Sequence, residues 1–439
     1  MIKVSVVMPV YNAEEYLPLA LESLLNQTLR EIEIICVDDG STDRSAEVLR
    51  YYQKKDDRII VLSQKNSYAG VARNYGMSVA RGKYLSFLDA DDYFTPKMLE
   101  KAYNNAEEQK ADIVIFGGEY FTEKIENRFY VPELLREEQI PEGDGFDNRE
   151  KIEKLMTITT PAPWNKLFLR SFVEKHQLKF QACKRVNDLF FVEVALACAD
   201  KIGIVRESLV YYRTDNGGSL QGTNKESPEQ FATALMDVQS KLQEIQLYDI
   251  VKKSFRNLCL SNCIYNLECM HDADEFERLY VALKTRIFKE FHIFDAASED
   301  YYNSEDYKKC IYIIFHSPIQ YWMDRCQRQN DRQYLFPYQL IPKGSRIALY
   351  GAGKVGKSFF RQLQKSGYCE LSAWVDRSVR ETEGQMLSIP ADMDWNGCDY
   401  VVVAIEMEER AESVKKELHQ KYGIPCNKLI WHNPVLSLS

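Results

Sequence analysis

The stretch KYLSFLDADDYFTP, residues 83–96, carries a short apolar run into three aspartates, Asp89, Asp91 and Asp92, packed within four residues. Like charges at that spacing repel, so the stretch raises two questions: what fold ends a strand there, and what the acids meet. The preceding chain answers the first. VSVVMPV (4–10) is apolar and β-branched and reads as a buried strand; AEEYLPLALESLLNQ (13–27) repeats its apolar residues at helical spacing. IEIICVDDG (32–40), IIVLSQ (59–64) and KYLSFLDAD (83–91) read as further strands, separated by helices over 45–55 and 70–80 and followed by a helix through PKMLEKAYNNAEEQ. Regular βα alternation predicts a parallel sheet with helices on both faces, its strand C-termini on one edge. Ligands bind at that edge in open α/β sheets. Pro9 and Tyr11, Asp38 and Asp39, and Asp89 and Asp91 all fall there.

Neighbouring carboxylates with no adjacent Lys or Arg suit a hard divalent cation, Mg²⁺ or Mn²⁺. Such an ion offsets the repulsion and binds phosphate oxygens, making a diphosphate a good leaving group. The local chemistry therefore points to a nucleotide-diphosphate substrate. The competing structural account is that such residues cap helices at this edge, Ser41 or Asp43 capping the helix after the second strand.

VSVVMPVYN, VDDGSTD, ARNYG and FLDADD, in this order and spacing, resemble the family 2 glycosyltransferases of the GT-A fold over roughly the first half of the chain. The resemblance implies an inverting, metal-dependent transferase using a nucleotide-sugar donor, a UDP-sugar first among them, in surface polysaccharide synthesis such as capsule. It implies that Pro9 and Tyr11 wall the nucleoside, that Glu14 reaches the ribose, and that Asp39 bonds the base. Arg73 resembles the basic residue near base and diphosphate. Asp89 would face ribose and sugar, Asp91 would bind Mg²⁺ or Mn²⁺, and Asp92 would cap a helix and face solvent. The base for the acceptor hydroxyl is implied at Asp188, in VNDLFF (186–191); Asn187 stands where the family has Glu, which alters the acceptor side. Trp164, in PWNKLF, offers an aromatic face to an acceptor sugar, or is an ordinary buried Trp. YYRTDNGGSL (211–220) reads either as a segment closing over the diphosphate or as a surface loop. The acceptor implied is a glycan or lipid-linked one.

The expected domains are a GT-A domain over 1–222, a helical bundle or linker over 223–340, and a Rossmann-like α/β domain over 341–439. No glycine occurs between Gly222 and Gly344, which favours continuous helices. In the last unit GAGKVGKS fits a dinucleotide motif through Gly351, Gly353 and Gly356 and also a phosphate-loop pattern; Asp376, about 20 residues on, favours the former. It founds the competing reading, an NAD(P)-dependent oxidoreductase or a nucleotide-binding regulatory protein led by this loop, with the loop as an empty accessory module as the plainer account.

A net charge of −9 lacks the footprint of a nucleic-acid binder. No apolar run reaches the ~20 residues of a membrane-spanning helix, and MIKVSVVMPVYN does not read as a secretory signal. The expectation is a cytoplasmic protein, with attachment to the inner face of the membrane left open. Eleven cysteines without a CxxC pair read as reduced core thiols; Cys259, Cys263, Cys269 and His271 lack the paired spacing of a zinc site.

Overall fold

The computed structural model describes residues 1–122, 124–214, 227–270, 272–331, 334–377 and 381–434. The chain divides into two compact units, Met1–Pro318 and Ile319–Ser439.

In the first unit the predicted alternation forms β1 (Val4–Val10), α1 (Leu17–Leu25), β2 (Ile32–Asp38), α2 (Ser45–Lys55), β3 (Ile59–Ser63), α3 (Tyr68–Val79) and β4 (Tyr84–Phe87). These four strands lie parallel in the order β3-β2-β1-β4. The apolar, β-branched runs of β1 and β2 are buried almost throughout, as strands covered on both faces must be. Close packing fixes α3 on them: a Cβ at Gly76 would lie 2.5 Å from Val7 Cγ1 and 3.2 Å from Val37 Cγ2.

Beyond β4 come the short β5 (Tyr93–Phe94), α4 (Met98–Gln109), β6 (Ile113–Thr122), β7 (Lys124–Tyr130), β8 (Gly145–Asp147), β9 (Lys166–Leu169), α5 (Arg170–Lys175), α6 (Leu189–Cys198) and β10 (Lys201–Arg213). The sheet continues β4-β9-β6-β10-β5, with β7 on β6 and β8 on β10. β9 runs antiparallel to both β4 and β6, so the sheet is mixed beyond its parallel first half.

The glycine-free region is helical: α7 (Gln230–Glu244), α8 (Tyr248–Glu268), α9 (Ala273–Ala282), a π-helical turn over Leu283–Ile287 leading into the single turn α10 (Phe288–Glu290), and α11 (Ser304–Phe315). These helices lie inside the first unit, and Ser254 Oγ of α8 accepts Met156 N–H at 2.8 Å. α12 (Pro318–Asp331) follows. Cys259 and Cys263 are buried in α8, and burial raises both thiols well above their ordinary range. His271 lies outside the described residues.

The second unit builds β11 (Arg346–Tyr350), α13 (Lys354–Ser366), β12 (Glu370–Val375), a hairpin of β13 (Glu381–Thr382) and β14 (Gln385–Met386), β15 (Tyr400–Val403), α14 (Glu408–Tyr422) and β16 (Leu429–Ile430). Its four-stranded sheet, β12-β11-β15-β16, is parallel throughout. Among the described residues no helix is long and apolar enough to cross a membrane.

Candidate active site

Strand register brings the expected acids to one edge. Val10 pairs with Asp38 and Val7 with Phe87, so the residues just past these pairs leave the sheet side by side. The fourth strand stops at Phe87, and Asp89 and Asp91 therefore stand in the loop beyond it, both half-buried.

The β1 and β2 exits are laced together. Asn12 Oδ1 accepts Thr42 N–H at 2.8 Å, Ser45 Oγ accepts Ala13 N–H at 2.8 Å, and Asp43 accepts both Glu14 and Ser45 N–H. This scaffold presents Tyr11 half exposed. Glu14, expected at a ribose, accepts Arg44 N–H at 2.8 Å and lies 3.3 Å from its Nε. Asp39 is buried, and its Oδ1 accepts Gln64 Nε2 at 2.7 Å and Ser67 N–H at 2.8 Å, which pins that oxygen. The turn needs Gly40: its φ is +75°, and a Cβ would come within 2.8 Å of Asn66 N.

Arg73 joins the two sides of the cleft. From α3 it donates through Nη2 to Asp89 Oδ1 at 2.6 Å and through Nη1 to Asn187 Oδ1 at 2.8 Å. The sequence reading puts this guanidinium at base and diphosphate; in the fold both terminal nitrogens hold protein oxygens.

Asp188 follows Asn187 and occupies the N-cap position of α6, yet its side chain makes no capping hydrogen bond. Loss of water pushes this half-buried carboxyl up from the ordinary aspartate range, the Arg73 charge pulls it down, and Asp89 pushes it up. The carboxyl therefore does not cap α6 in the usual way, although the N–H groups of Asp188 and Leu189 at the helix start also hold it down.

Asp92 corrects an expectation. It is fully buried, not solvent-facing, and its Oδ1 accepts Arg213 N–H at 3.0 Å while Oδ2 has no partner. Burial first, then Asp91 and Asp89, raise its carboxyl well above the usual range. Arg213, buried between the rings of Tyr16 and Phe121, donates through Nε to the Asp91 carbonyl at 3.2 Å. The closing segment expected over 211–220 lies outside the described residues from 215 onward. Among the described residues no three His, Cys, Asp or Glu side chains gather to hold an ion by themselves. The half-buried carboxylates of Asp89 and Asp91 offer the oxygen donors of a hard cation that takes one or two carboxylates and completes its shell with phosphate and water.

Trp164 is buried, stacked on Tyr212 at 5.2 Å with 16° between planes. It belongs to the core, so of the two readings the ordinary buried Trp holds and the open face for a sugar does not.

Sequence reasoning missed a buried pair behind Asp188. Lys166, of the WNK segment, is fully buried and donates to Thr160 O, Ala162 O, Asn165 Oδ1 and Thr159 Oγ1 at 2.7–3.1 Å. Glu193, on α6, is fully buried with neither carboxylate oxygen bonded. Burial lowers Lys166 to about 7 and raises Glu193 to about 8, each opposed by the other's charge. Gln64 and Ser67 were also missed; no local pattern marks them.

In the second unit Gly351 has φ +105°, and a Cβ at Gly356 would lie 1.9 Å from Gly351 O. Ala352 N–H donates to Asp376 Oδ2 at 2.8 Å, so the acid expected at a ribose binds back to the glycine loop.

Known proteins agree with this architecture. Residues 5–177 match the family model for glycosyl transferase family 2. The glycosyltransferase GlyG of Streptococcus pneumoniae is 33% identical over 229 residues, 50% of this chain and 73% of that protein. EpsJ of Bacillus subtilis is 35% identical over 222 residues, covering 49% and 62%. The poly(ribitol-phosphate) beta-glucosyltransferase of Bacillus spizizenii is 32% identical over 255 residues, covering 57% and 38%. The chain spans from about a third to about three fifths of the length of the first relatives it matches. The crystal structure of Staphylococcus aureus TarS 1-349 in complex with UDP-GlcNAc superposes with a TM-score of 0.54 at 20% identity, covering 66% of this chain and 81% of that one. The acidic strand edge, the mixed sheet built on it and these matches together place the chain in glycosyltransferase family 2.

Proposed function

We propose that the chain transfers a sugar from a UDP-sugar to a hydroxyl of a glycan or lipid-linked acceptor, with inversion, in the synthesis of a cell-surface polymer. The observation that carries this reading is Asp188. It sits at a helix start without capping it, and Asn187 and Arg73 tie its backbone to Asp89 at the strand edge. A carboxylate there, made more basic by partial burial, is suited to take the acceptor proton. As the proton passes to Asp188, the acceptor oxygen attacks the anomeric carbon from the side opposite the diphosphate. The anomeric C–O bond breaks and UDP leaves with the bonding pair. Pro9, Tyr11 and Asp39 flank the nucleoside, with one oxygen of Asp39 held by Gln64 and Ser67. Mg²⁺ or Mn²⁺ on Asp91 would neutralise charge developing on the diphosphate.

The donor class is supported by the UDP-GlcNAc complex of the TarS fragment, and the polymer class by the names of the B. spizizenii relative and of the minor teichoic acid biosynthesis protein GgaB of B. subtilis, 29% identical over 256 residues. The test is UDP release from a panel of UDP-sugars with Mn²⁺, in the wild type, Asp91→Ala and Asp188→Asn. Metal-dependent release that Asp91→Ala abolishes supports the reading; metal-independent turnover in Asp91→Ala removes the assigned ion site.

A further inference from the structure

α3 does more than cover the sheet. Gly70, Arg73 and Asn74 stand at helical spacings of three and four, on one face, and all three meet the loop that delivers Asp188. Asn74 makes a two-way bond to the Phe180 backbone: Nδ2 donates to Phe180 O at 2.8 Å and Oδ1 accepts Phe180 N–H at 2.9 Å. At Gly70 a Cβ would lie 2.2 Å from Gln181 O and 3.0 Å from Asn187 Cβ, so the loop can lie down on the helix only because no side chain is there. Arg73 takes the far end of the loop through Asn187, at 2.8 Å. Gln181 N–H donates to Asn187 O at 3.0 Å and closes the loop on itself. The Phe180 ring lies under the Arg73 guanidinium, 5.4 Å away, and stacks on Phe191 of α6 at 4.1 Å with 5° between planes. Between these anchors Val186 is held at φ +57°, a conformation that is strained for a β-branched residue and persists only where the surroundings impose it.

We propose that the Gly70–Arg73–Asn74 face of α3 is the positioning device for Asp188, and that Arg73, whose other arm holds Asp89, registers the base against the donor edge. The inference rests on the reading of Asp188 as the base. Simple packing does not account for the arrangement. Gly76, one turn further along, shows how α3 packs on the sheet through apolar contact alone. A buried guanidinium whose Nε lacks a partner, and an amide spent on loop backbone, are poor stabilisers compared with apolar residues. They supply direction instead. The charges acting at Asp188 are Arg73 from α3, Asp89 beyond β4, Lys166 from β9, Glu193 on α6 and the Cys183 thiol of the loop itself. Arg73 is the strongest of the charges acting on Asp188.

The test uses the full chain and three variants, Asn74→Ala, Arg73→Lys and Arg73→Met, with folding checked by circular dichroism. Amide hydrogen exchange followed by mass spectrometry needs no substrate: exchange over residues 180–188 is expected to quicken by roughly tenfold or more in Asn74→Ala and Arg73→Met, while β1 and β2 stay protected. With UDP-GlcNAc and Mn²⁺ as probe, kcat for UDP release is expected to fall roughly 10–100-fold in Asn74→Ala with donor KM unchanged. Arg73→Lys keeps the acid limb of the pH profile and loses kcat; Arg73→Met also moves that limb upward. Unchanged exchange over 180–188 in folded Asn74→Ala and Arg73→Met overturns the proposal. So does wild-type turnover in Asn74→Ala while Asp188→Asn is dead. An active Asp188→Asn instead removes the base assignment, and the exchange result then still decides whether α3 grips the loop.

Discussion

Two sheets in this chain, one parallel only in its first half and one parallel throughout, each deliver acids and glycines to a C-terminal edge, and they treat them differently. In the second unit the edge closes on itself: Asp376 accepts a loop N–H, Trp374 donates to Gly351 O at 2.9 Å, and Gly356 packs against that same carbonyl. In the first unit the edge is left charged and strained. Asp92 is buried with an orphaned oxygen, Asp188 stands at a helix start it does not cap, and Val186 has positive φ. The contrast teaches that a motif at a strand edge is informative to the extent that the fold leaves its polar groups unspent. Most of the glycine motif is consumed in building its own turn, whereas the acids of the first unit cost stability that packing does not return.

The largest expected effect is at the first edge. Asp188→Asn preserves shape and removes the base, so transfer should drop by about 10²–10⁴-fold with donor binding retained. The pH profile follows from sign. The carboxyl must be ionised to accept a proton, and its pKa is raised, chiefly by burial, so the acid limb of kcat/KM should lie above the ordinary aspartate range and vanish in Asp188→Asn. Unchanged turnover in that variant would return Asp188 to an ordinary helix start and erase the contrast between the edges.

Behind that edge, Glu193 offers a stability readout. Its folded-state value of about 8 lies above 4.5, so its contribution is complete below pH 4.5 and is lost as pH rises toward 8. Lys166, lowered to about 7 from 10.5, is charged in both states well below pH 7 and adds slope, of the opposite sign, only as pH approaches 7. Glu193→Gln should therefore flatten the decline in unfolding free energy between about pH 4.5 and 7, by up to about 1.4 kcal/mol per pH unit. Denaturant titrations at a series of pH values measure it; parallel curves for the two proteins would mean that Glu193 finds a compensating partner.

How much of this was legible beforehand follows from contact range. β1 to β4, with Asp39 and Asp89 at their ends, were readable because period and β-branching are local and parallel βα units fix the edge. Strand β9 between β4 and β6 was not, since antiparallel insertion leaves no local signature. Nor was the burial of Asp92, which depends on Arg213, 121 residues later. Trp164 stayed open between stacking on a sugar and burial in the core because nothing near it in sequence announces Tyr212. The grip of α3 on the 180–187 loop spans 106 to 114 residues. ARN was legible as a motif through its arginine; the work of Asn74 was legible only in three dimensions.

At the second edge the expected effects are smaller and concern stability. Gly356→Ala drives a methyl into the Gly351 carbonyl and should cost about 1–3 kcal/mol, read as a lowered Tm. An unshifted Tm would mean that the loop yields and that Gly356 is not there for packing.

Gly353 is the one glycine of that loop which the fold does not explain. It occupies the N-cap of α13 at φ −74° and ψ −164°, and a Cβ there would meet nothing within 4 Å. The backbone suits any residue, and a serine at this position can accept a first-turn N–H that glycine leaves without a side-chain partner. If the edge serves only its own fold, Gly353→Ser should be neutral or stabilising by about 0.5 kcal/mol. If the open space is kept for a nucleotide, the same hydroxymethyl group should obstruct it. Calorimetry with NAD on the full chain separates the two: heat in the wild type that disappears in Gly353→Ser, without a loss of Tm, would make the second edge a working site and remove the distinction drawn between the sheets.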